Sequence, residues 1–128
     1  MPKGDITLQE KQEAIKLLSH SGASIVELNQ VRIALSGLKG GQLAHLAKKA
    51  KVVCLILSDI IGDPMHLIAS GPTVQPPLDS PKAMEIIEKY NLQSKMPAQV
   101  ITYLKEDQNV PLLNTENVNL SKYLPTND

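Results

Sequence analysis

Val52-Val53-Cys54-Leu55-Ile56-Leu57 is an unbroken apolar run. It lacks the alternation of a half-exposed strand, so the pattern predicts a strand buried on both faces. Elsewhere apolar positions recur at helical spacing between clear punctuation. Thr7 and Glu10 spell T-x-x-E, a capping box, and predict a helix that reaches Ser19 or His20 and stops at Gly22, a residue suited to a left-handed C-terminal cap. Ser24 and Glu27 repeat the signal and open a helix to Leu35 or Ser36. Gly37, Gly40 and Gly41 break the pattern, and a shorter helix from Gln42 to Lys49 leads into the strand.

Beyond the strand, Asp63-Pro64 reads as an N-cap with proline at the first helical position. A short helix over Met65 to Ala69 follows, ending at Gly71. The stretch from Pro72 to Pro77 is irregular. Ser80-Pro81 starts another helix that ends near Tyr90-Asn91, and a last one runs from Pro97 to about Lys105. From Asp107 the sequence is polar and rich in Asn, Thr and Pro, the composition of a loosely ordered tail. The organisation is therefore one α/β domain over residues 1–106 and a tail over 107–128. A lone buried strand cannot satisfy its own backbone groups. Either further strands are hidden or the chain forms part of a larger, incomplete sheet.

On the second helix, turning ~100° per residue puts Leu28 and Leu35 on one flank and Val26 and Ile33 on the other. Glu27, Gln30 and Ala34 face solvent. Asn29, Arg32 and Ser36 fall, with Ile25, along the centre of the face that should be buried. An arginine there needs an anionic partner or a wet cleft. It either pairs with a buried carboxylate such as Asp59 or is aimed at a bound anion. Lys39-Gly40-Gly41 follows directly, and two glycines ahead of a helix permit either a plain turn or close backbone approach to a phosphate or carboxylate. Ser70-Gly71-Pro72-Thr73 allows the same two readings.

The strand ends in Ser58-Asp59-Ile60-Ile61-Gly62-Asp63. Ligands of open α/β sheets bind beyond the carboxyl ends of strands, so Ser58 and Asp59 mark a candidate rim. Asp59 could hold Mg²⁺ or accept a proton from a substrate hydroxyl. Asp63 has a structural explanation as a helix cap. A phosphatase-like site would want a second carboxylate two residues after Asp59, where Ile61 stands.

Composition narrows the field. The 128 residues carry 13 Lys+Arg and 13 Asp+Glu, no Trp and no Phe. No net field draws a polyanion, and three tyrosines offer few stacking faces, which argues against nucleic acid. Cys54 is the only cysteine and reads as a small core residue in a reducing compartment. His20, His45 and His66 are scattered and make no zinc spacing with it. No apolar run approaches the ~20 residues of a membrane span, and the N-terminus has no signal core. A cytoplasmic setting without membrane partners is the expectation.

Three blocks in order, SGASIVELNQVRIALSGLKGGQLA, LSDIIGDP and IASGPTV, resemble the glycerate 2-kinase family, whose members carry a C-terminal MOFRL domain. The similarity runs from about Ile6 to about Lys105. It implies a Rossmann-like α/β domain and phosphate transfer from ATP to D-glycerate with a divalent metal, giving 2-phosphoglycerate. The family's N-x-V-R block falls on Asn29, Val31 and Arg32, its K-G-G on Lys39, Gly40 and Gly41, its S-D-x-x-G-D on Ser58, Asp59, Gly62 and Asp63, and its S-G-P-T on Ser70 to Thr73. The resemblance thus implies catalytic roles for Asp59 and Arg32, with Asp59 as the Mg²⁺ residue. It implies substrate or phosphate contacts for Asn29, Ser36, Lys39, Gly40, Gly41, Ser58, Gly62, Asp63, Ser70, Gly71 and Thr73.

Ile33 departs from the basic residue that usually follows the arginine. The family also has a glycine-rich phosphate loop and a lysine upstream of the first helix, whereas this sequence opens at Met1-Pro2-Lys3-Gly4. The expectation is a middle slice of such an enzyme, inactive alone, whose partner is the remainder of the full-length protein. The alternative is a non-catalytic module that binds a ligand or a partner.

Overall fold

The computed structural model describes residues 1–47, 49–76 and 81–107. Among the described residues five α-helices form: α1 (Leu8–His20), α2 (Ile25–Ala34), α3 (Gln42–Leu46), α4 (Ala83–Lys89) and α5 (Ala98–Asp107), with a 3₁₀ turn at Ile68–Ser70. Helix α1 packs on α2 and α5, and α4 packs on the same two, which closes a four-helix ring.

Both capping boxes form as the sequence predicts. The Thr7 hydroxyl accepts from the Glu10 amide while Glu10 Oε2 accepts from the Thr7 amide at 2.8 Å. Ser24 and Glu27 repeat the arrangement. Each pair satisfies two of the amides that a helix start leaves unbonded. Helix α1 ends in a Schellman turn: Gly22 has φ 85°, its amide donates to Ser19, and the Ala23 amide donates to Leu18. Helix α4 ends the same way with Asn91 at φ 54°, whose amide donates to Glu88 while the Leu92 amide donates to Ile87. Asparagine tolerates the left-handed region better than other side chains, and the motif carries Leu92 back into the core.

The core is aliphatic. Ala14 and Leu18 of α1, Leu28, Val31 and Leu35 along α2, Met84, Ile86 and Ile87 of α4, and Val100 and Leu104 of α5 are buried together. Among the described residues, every buried hydrophobic one lies within residues 6–35 or 83–104. Residues 37–76 contribute none.

Several expectations are corrected. The apolar run Val52 to Leu57 is not a buried strand: no strand is present among the described residues, and its side chains are exposed. Without a neighbouring strand to accept its hydrogen bonds, the segment has no ladder to join. Cys54 is exposed with it, its thiol 3.4 Å from the Thr73 hydroxyl. The helix expected over Met65 to Ala69 is a turn followed by the 3₁₀ segment. Asp63 has φ 47°, outside the extended backbone of an N-cap. Helix α3 ends at Leu46 rather than Lys49.

Helix α4 begins after Lys82, whose amide donates to Glu85 Oε2. The start signal expected at Ser80 lies outside the described residues. Asp107 is the last residue of α5 rather than the first of a tail. The rest of the expected tail, residues 108–128, lies outside the described residues.

Candidate functional site

The buried line of α2 and its cap is Leu28, Val31 and Leu35; of the expected Asn29–Arg32–Ser36 stripe only Ser36 is buried. Asn29 and Arg32 sit half-buried beside that line, with Arg32 Nη1 donating to Asn29 Oδ1 at 3.2 Å. Asp59 is exposed and is not the partner of Arg32. The stripe was displaced because the packing of α2 onto α1 and α4 is set by Leu28 and Val31, and the flank expected at Val26 is exposed.

Arg32 opens onto a groove of about 450 Å³. One wall is a stripe of α1 with Leu8, Lys11, Gln12, Ile15, Lys16 and Ser19, at spacings that repeat every helical turn, and His20 at its end. The other wall is Arg32 and Lys39. Among the described residues no carboxylate lines it. Burial lowers the Lys11 pKa, and the charge of Lys39 lowers it further. The basic side chains of Lys11, Lys16, Arg32 and Lys39 around one concave space lower the cost of admitting an anion. Lys11 and Lys16 were missed by sequence reasoning because α1 was read only for its caps. The signal available was the unpaired basic residues on the stripe shared with Leu8 and Ile15.

Ser36 is buried, and its hydroxyl accepts from the Leu38 and Lys39 amides at 3.3 Å each. It shapes the turn that presents Lys39. The Lys39 ammonium donates to Ser70 Oγ at 3.2 Å. The Lys39-Gly40-Gly41 turn lies along Ser70-Gly71-Pro72: the Gly40 amide donates to the Ser70 carbonyl, the Gly41 amide to the Gly71 carbonyl at 2.8 Å, and the Leu43 amide to the Pro72 carbonyl. Two motifs some thirty positions apart in sequence are thus one structural unit.

The glycines are required by this contact. A Cβ at Gly40 would lie 2.5 Å from Ile33 Cγ2, and one at Gly71 would lie 2.6 Å from the Val74 carbonyl oxygen. Their amides bond protein carbonyls, so in this arrangement they do not cradle a ligand. Ala69, Ser70 and Gly71 take φ of 51°, 61° and 54° in succession. Two of these are non-glycine residues, a strain that only close tertiary constraint sustains.

Ser58, Asp59, Gly62 and Asp63 are exposed and lie on the connecting segment rather than in the groove lining. Ser58 Oγ accepts from the Ile60 amide at 3.1 Å, a local turn. Among the described residues no three His, Cys, Asp or Glu side chains gather where they could hold a metal ion. Asp59, implied as a Mg²⁺ ligand, thus has no assembled donor set around it. The described residues do not fit a bound metal. No helix among the described residues is long and apolar enough to cross a membrane.

The geometry finds parallels in known proteins. The chain is 52% identical over 99 residues to a glycerate kinase of Danio rerio, covering 77% of this chain and 20% of that protein. It is 46% identical over 110 residues to glycerate kinase of Homo sapiens, covering 86% and 21%. With the D-glycerate 2-kinase of Thermotoga maritima it shares 43% over 94 residues, covering 73% and 22%. The chain therefore spans about a fifth of the length of these relatives.

Among solved structures, the PH0495 protein from Pyrococcus horikoshii superposes with a TM-score of 0.76 at 37% identity, covering 83% of this chain and 24% of that one. Glycerate kinase from Thermotoga maritima superposes with a TM-score of 0.71 at 39% identity, covering 81% and 25%. Both matches are in keeping with an α/β class, although the sheet is not seen among the described residues. The profile of a domain of unknown function, DUF4147, matches residues 1–105, and the chain belongs to that family.

Proposed function

We propose that this chain carries one wall of a glycerate 2-kinase site, the site at which phosphate passes from ATP to D-glycerate to give 2-phosphoglycerate. The observation that carries this reading is the 43–52% identity, over 94–110 residues, to proteins named glycerate kinase. The groove supports it: Lys11, Lys16, Arg32 and Lys39 face a space free of carboxylates, suited to the carboxylate of glycerate or to a phosphate. In this reading Arg32 and Lys39 bind the anion, Asn29 orients Arg32, and Ser36, Gly40, Gly41, Ser70, Gly71 and Thr73 hold the two loops. Asp59 accepts the substrate hydroxyl proton, with Ser58, Gly62 and Asp63 shaping its loop. The setting is cytoplasmic.

The 128 residues alone do not turn over in this reading. Phosphoryl transfer rests on positioning and charge neutralisation, and Asp59 stands exposed and outside the groove. That separation also favours a second reading, a module that binds an anion or partner without catalysis. A coupled assay with D-glycerate, ATP and Mg²⁺ tests the first: turnover of about 1 s⁻¹ or more, typical of enzymes, would overturn the claim of inactivity. In a longer glycerate kinase, Arg32→Lys at the matching position is expected to lower kcat/KM tenfold or more, ~1.4 kcal/mol. There Asp59→Asn should collapse kcat about 10²-fold or further with little change in melting, and Asp63→Asn should be mild in both. Unchanged kinetics in all three would leave the binding module as the better reading.

A further inference from the structure

Ser70 stands at a position whose backbone suits glycine. It takes φ 61°, between Ala69 at 51° and Gly71 at 54°. A side chain there brings strain that glycine would avoid, and such strain persists only where surrounding contacts hold it. Those contacts are of two kinds. The Ser70 carbonyl accepts from the Gly40 amide at 3.0 Å, and the Ser70 amide donates to the Leu67 carbonyl at 3.0 Å. A glycine would make both bonds equally well. The Ser70 hydroxyl accepts from the Lys39 ammonium at 3.2 Å, and this bond needs the side chain. Ser70 is buried, so its bond to a charged group is shielded from competing water.

Lys39 is thereby held at both ends. Its amide donates to Ser36 Oγ at 3.3 Å, and Ser36 is itself buried. The next two amides, of Gly40 and Gly41, are fixed on the Ser70 and Gly71 carbonyls. Between these anchors runs a flexible four-carbon stem. A stem that must be ordered when a ligand arrives weakens binding, and one already held in place does not. The partner's chemistry matters as well. A carboxylate would neutralise the ammonium and compete with an incoming anion, whereas a hydroxyl orients it and leaves its charge intact. An ammonium has three donors. Ser70 receives one, and the others remain for an anion in the groove that Lys39 lines with Lys11 and Arg32.

We propose that Ser70 is a positioning residue for Lys39, its hydroxyl pre-setting the ammonium for anion binding without itself touching the ligand; the inference rests on the reading of Lys39 as an anion-binding residue.

Two measurements on the full chain test this. The first needs no ligand. Relaxation of ¹⁵N in the lysine ammonium groups reports the order of each one on the ps–ns timescale. Lys39 should be more ordered than the exposed Lys105, and in Ser70→Gly it should fall to the Lys105 level. The second is titration with inorganic phosphate from about 0.1 to 50 mM, the span in which a weak site fills, followed by the amide shifts of Arg32, Lys39 and Gly40. Lys39→Met, which keeps an unbranched stem without the charge, should weaken phosphate binding about tenfold or more. Ser70→Gly should weaken it about three- to tenfold. The urea midpoint of Ser70→Gly should barely move, because relief at φ 61° offsets the added freedom of the unfolded chain. In Lys39→Met/Ser70→Gly binding should be no weaker than in Lys39→Met, since the hydroxyl acts only through the ammonium.

A Lys39 ammonium as mobile as that of Lys105, with phosphate still bound, would overturn the positioning role and leave the anion site standing. An ordered ammonium in a chain that binds no phosphate would overturn the anion site and the role with it. Equal weakening by Ser70→Gly with and without the Lys39 ammonium would show that Ser70 meets the anion directly, against the proposal. A loss of affinity that tracks a fall in urea midpoint would make the hydroxyl a structural group alone.

Discussion

Among the described residues, 6–35 and 83–104 supply the buried hydrophobic core, while 37–76 hold most of the candidate chemistry and none of that core. The two regions are held by different forces. The helical ring is closed by aliphatic burial, paired capping boxes and two Schellman turns. The middle region is held by loop-to-loop backbone hydrogen bonds between Lys39-Gly40-Gly41 and Ser70-Gly71-Pro72, with residues 51–61 outside both. The difference teaches that this chain can keep its framework without assembling its chemistry. Helix termini and buried side chains are satisfied locally, whereas Ser58, Asp59 and Asp63 stay exposed and outside the groove lining.

The sharpest break between the regions is a pair of identical truncations. Leu18→Ala, at a fully buried position, should cost about 2–5 kcal/mol. Leu57→Ala, at an exposed one, should stay within about 0.5 kcal/mol. Urea titrations of the two variants test this, and equal losses would erase the distinction. Next in size is a pair of glycines. Gly40→Ala meets Ile33 Cγ2 at 2.5 Å and also has φ 61°, whereas Gly22→Ala has φ 85° with open space around it. Gly22→Ala should cost about 1–2 kcal/mol from backbone strain alone. Gly40→Ala should cost more, and the excess should fall in Gly40→Ala/Ile33→Ala, where the opposing methyl is removed.

A third prediction concerns the link between α2 and α4. The Glu27 carboxylate accepts from Lys89 at 2.6 Å, from the Ser24 amide and from Tyr90. Lys89 above all, then the Ser24 amide and Tyr90, hold its pKa at about 2, below the ordinary 4.5. The folded state therefore takes up this proton less readily than the unfolded one. The stabilisation is complete above pH 4.5 and is lost as the pH falls from there to about 2. Melting temperature plotted against pH should fall through that window, and Glu27→Gln should flatten this part of the fall. The smallest effect belongs to the strained turn. Ala69→Gly relieves φ 51° at an exposed position and should stabilise the chain by about 1 kcal/mol or less.

The helical ring was legible in the sequence wherever its signals are local. Thr7/Glu10, Ser24/Glu27, Gly22 and the Tyr90-Asn91 stop each depend on a few neighbouring residues, and each forms. The K-G-G and S-G-P-T blocks were legible as special backbone, but their pairing was not, because hydrogen bonds across thirty positions leave no local pattern. The run from Val52 to Leu57 misled for the converse reason. Its composition records a preference for a buried sheet, and burial depends on neighbours that no single segment encodes. Arg32 was read as lying along the centre of the buried face, whereas it sits half-buried beside the Leu28–Val31–Leu35 line. Its setting among Lys11, Lys16 and Lys39 came only with the packing of α1 on α2. Glu27 was read as solvent-facing, yet it joins two helices, since Lys89 and Tyr90 reach it from α4.

Hydrogen exchange at each backbone amide tests the division most directly. The account predicts protection of about 10³-fold or more within α1, α2, α4 and α5, with residues 51–59 exchanging within about tenfold of an unstructured peptide. Protection of residues 51–59 equal to that of the helices would contradict it, because that segment would then belong to the cooperative core.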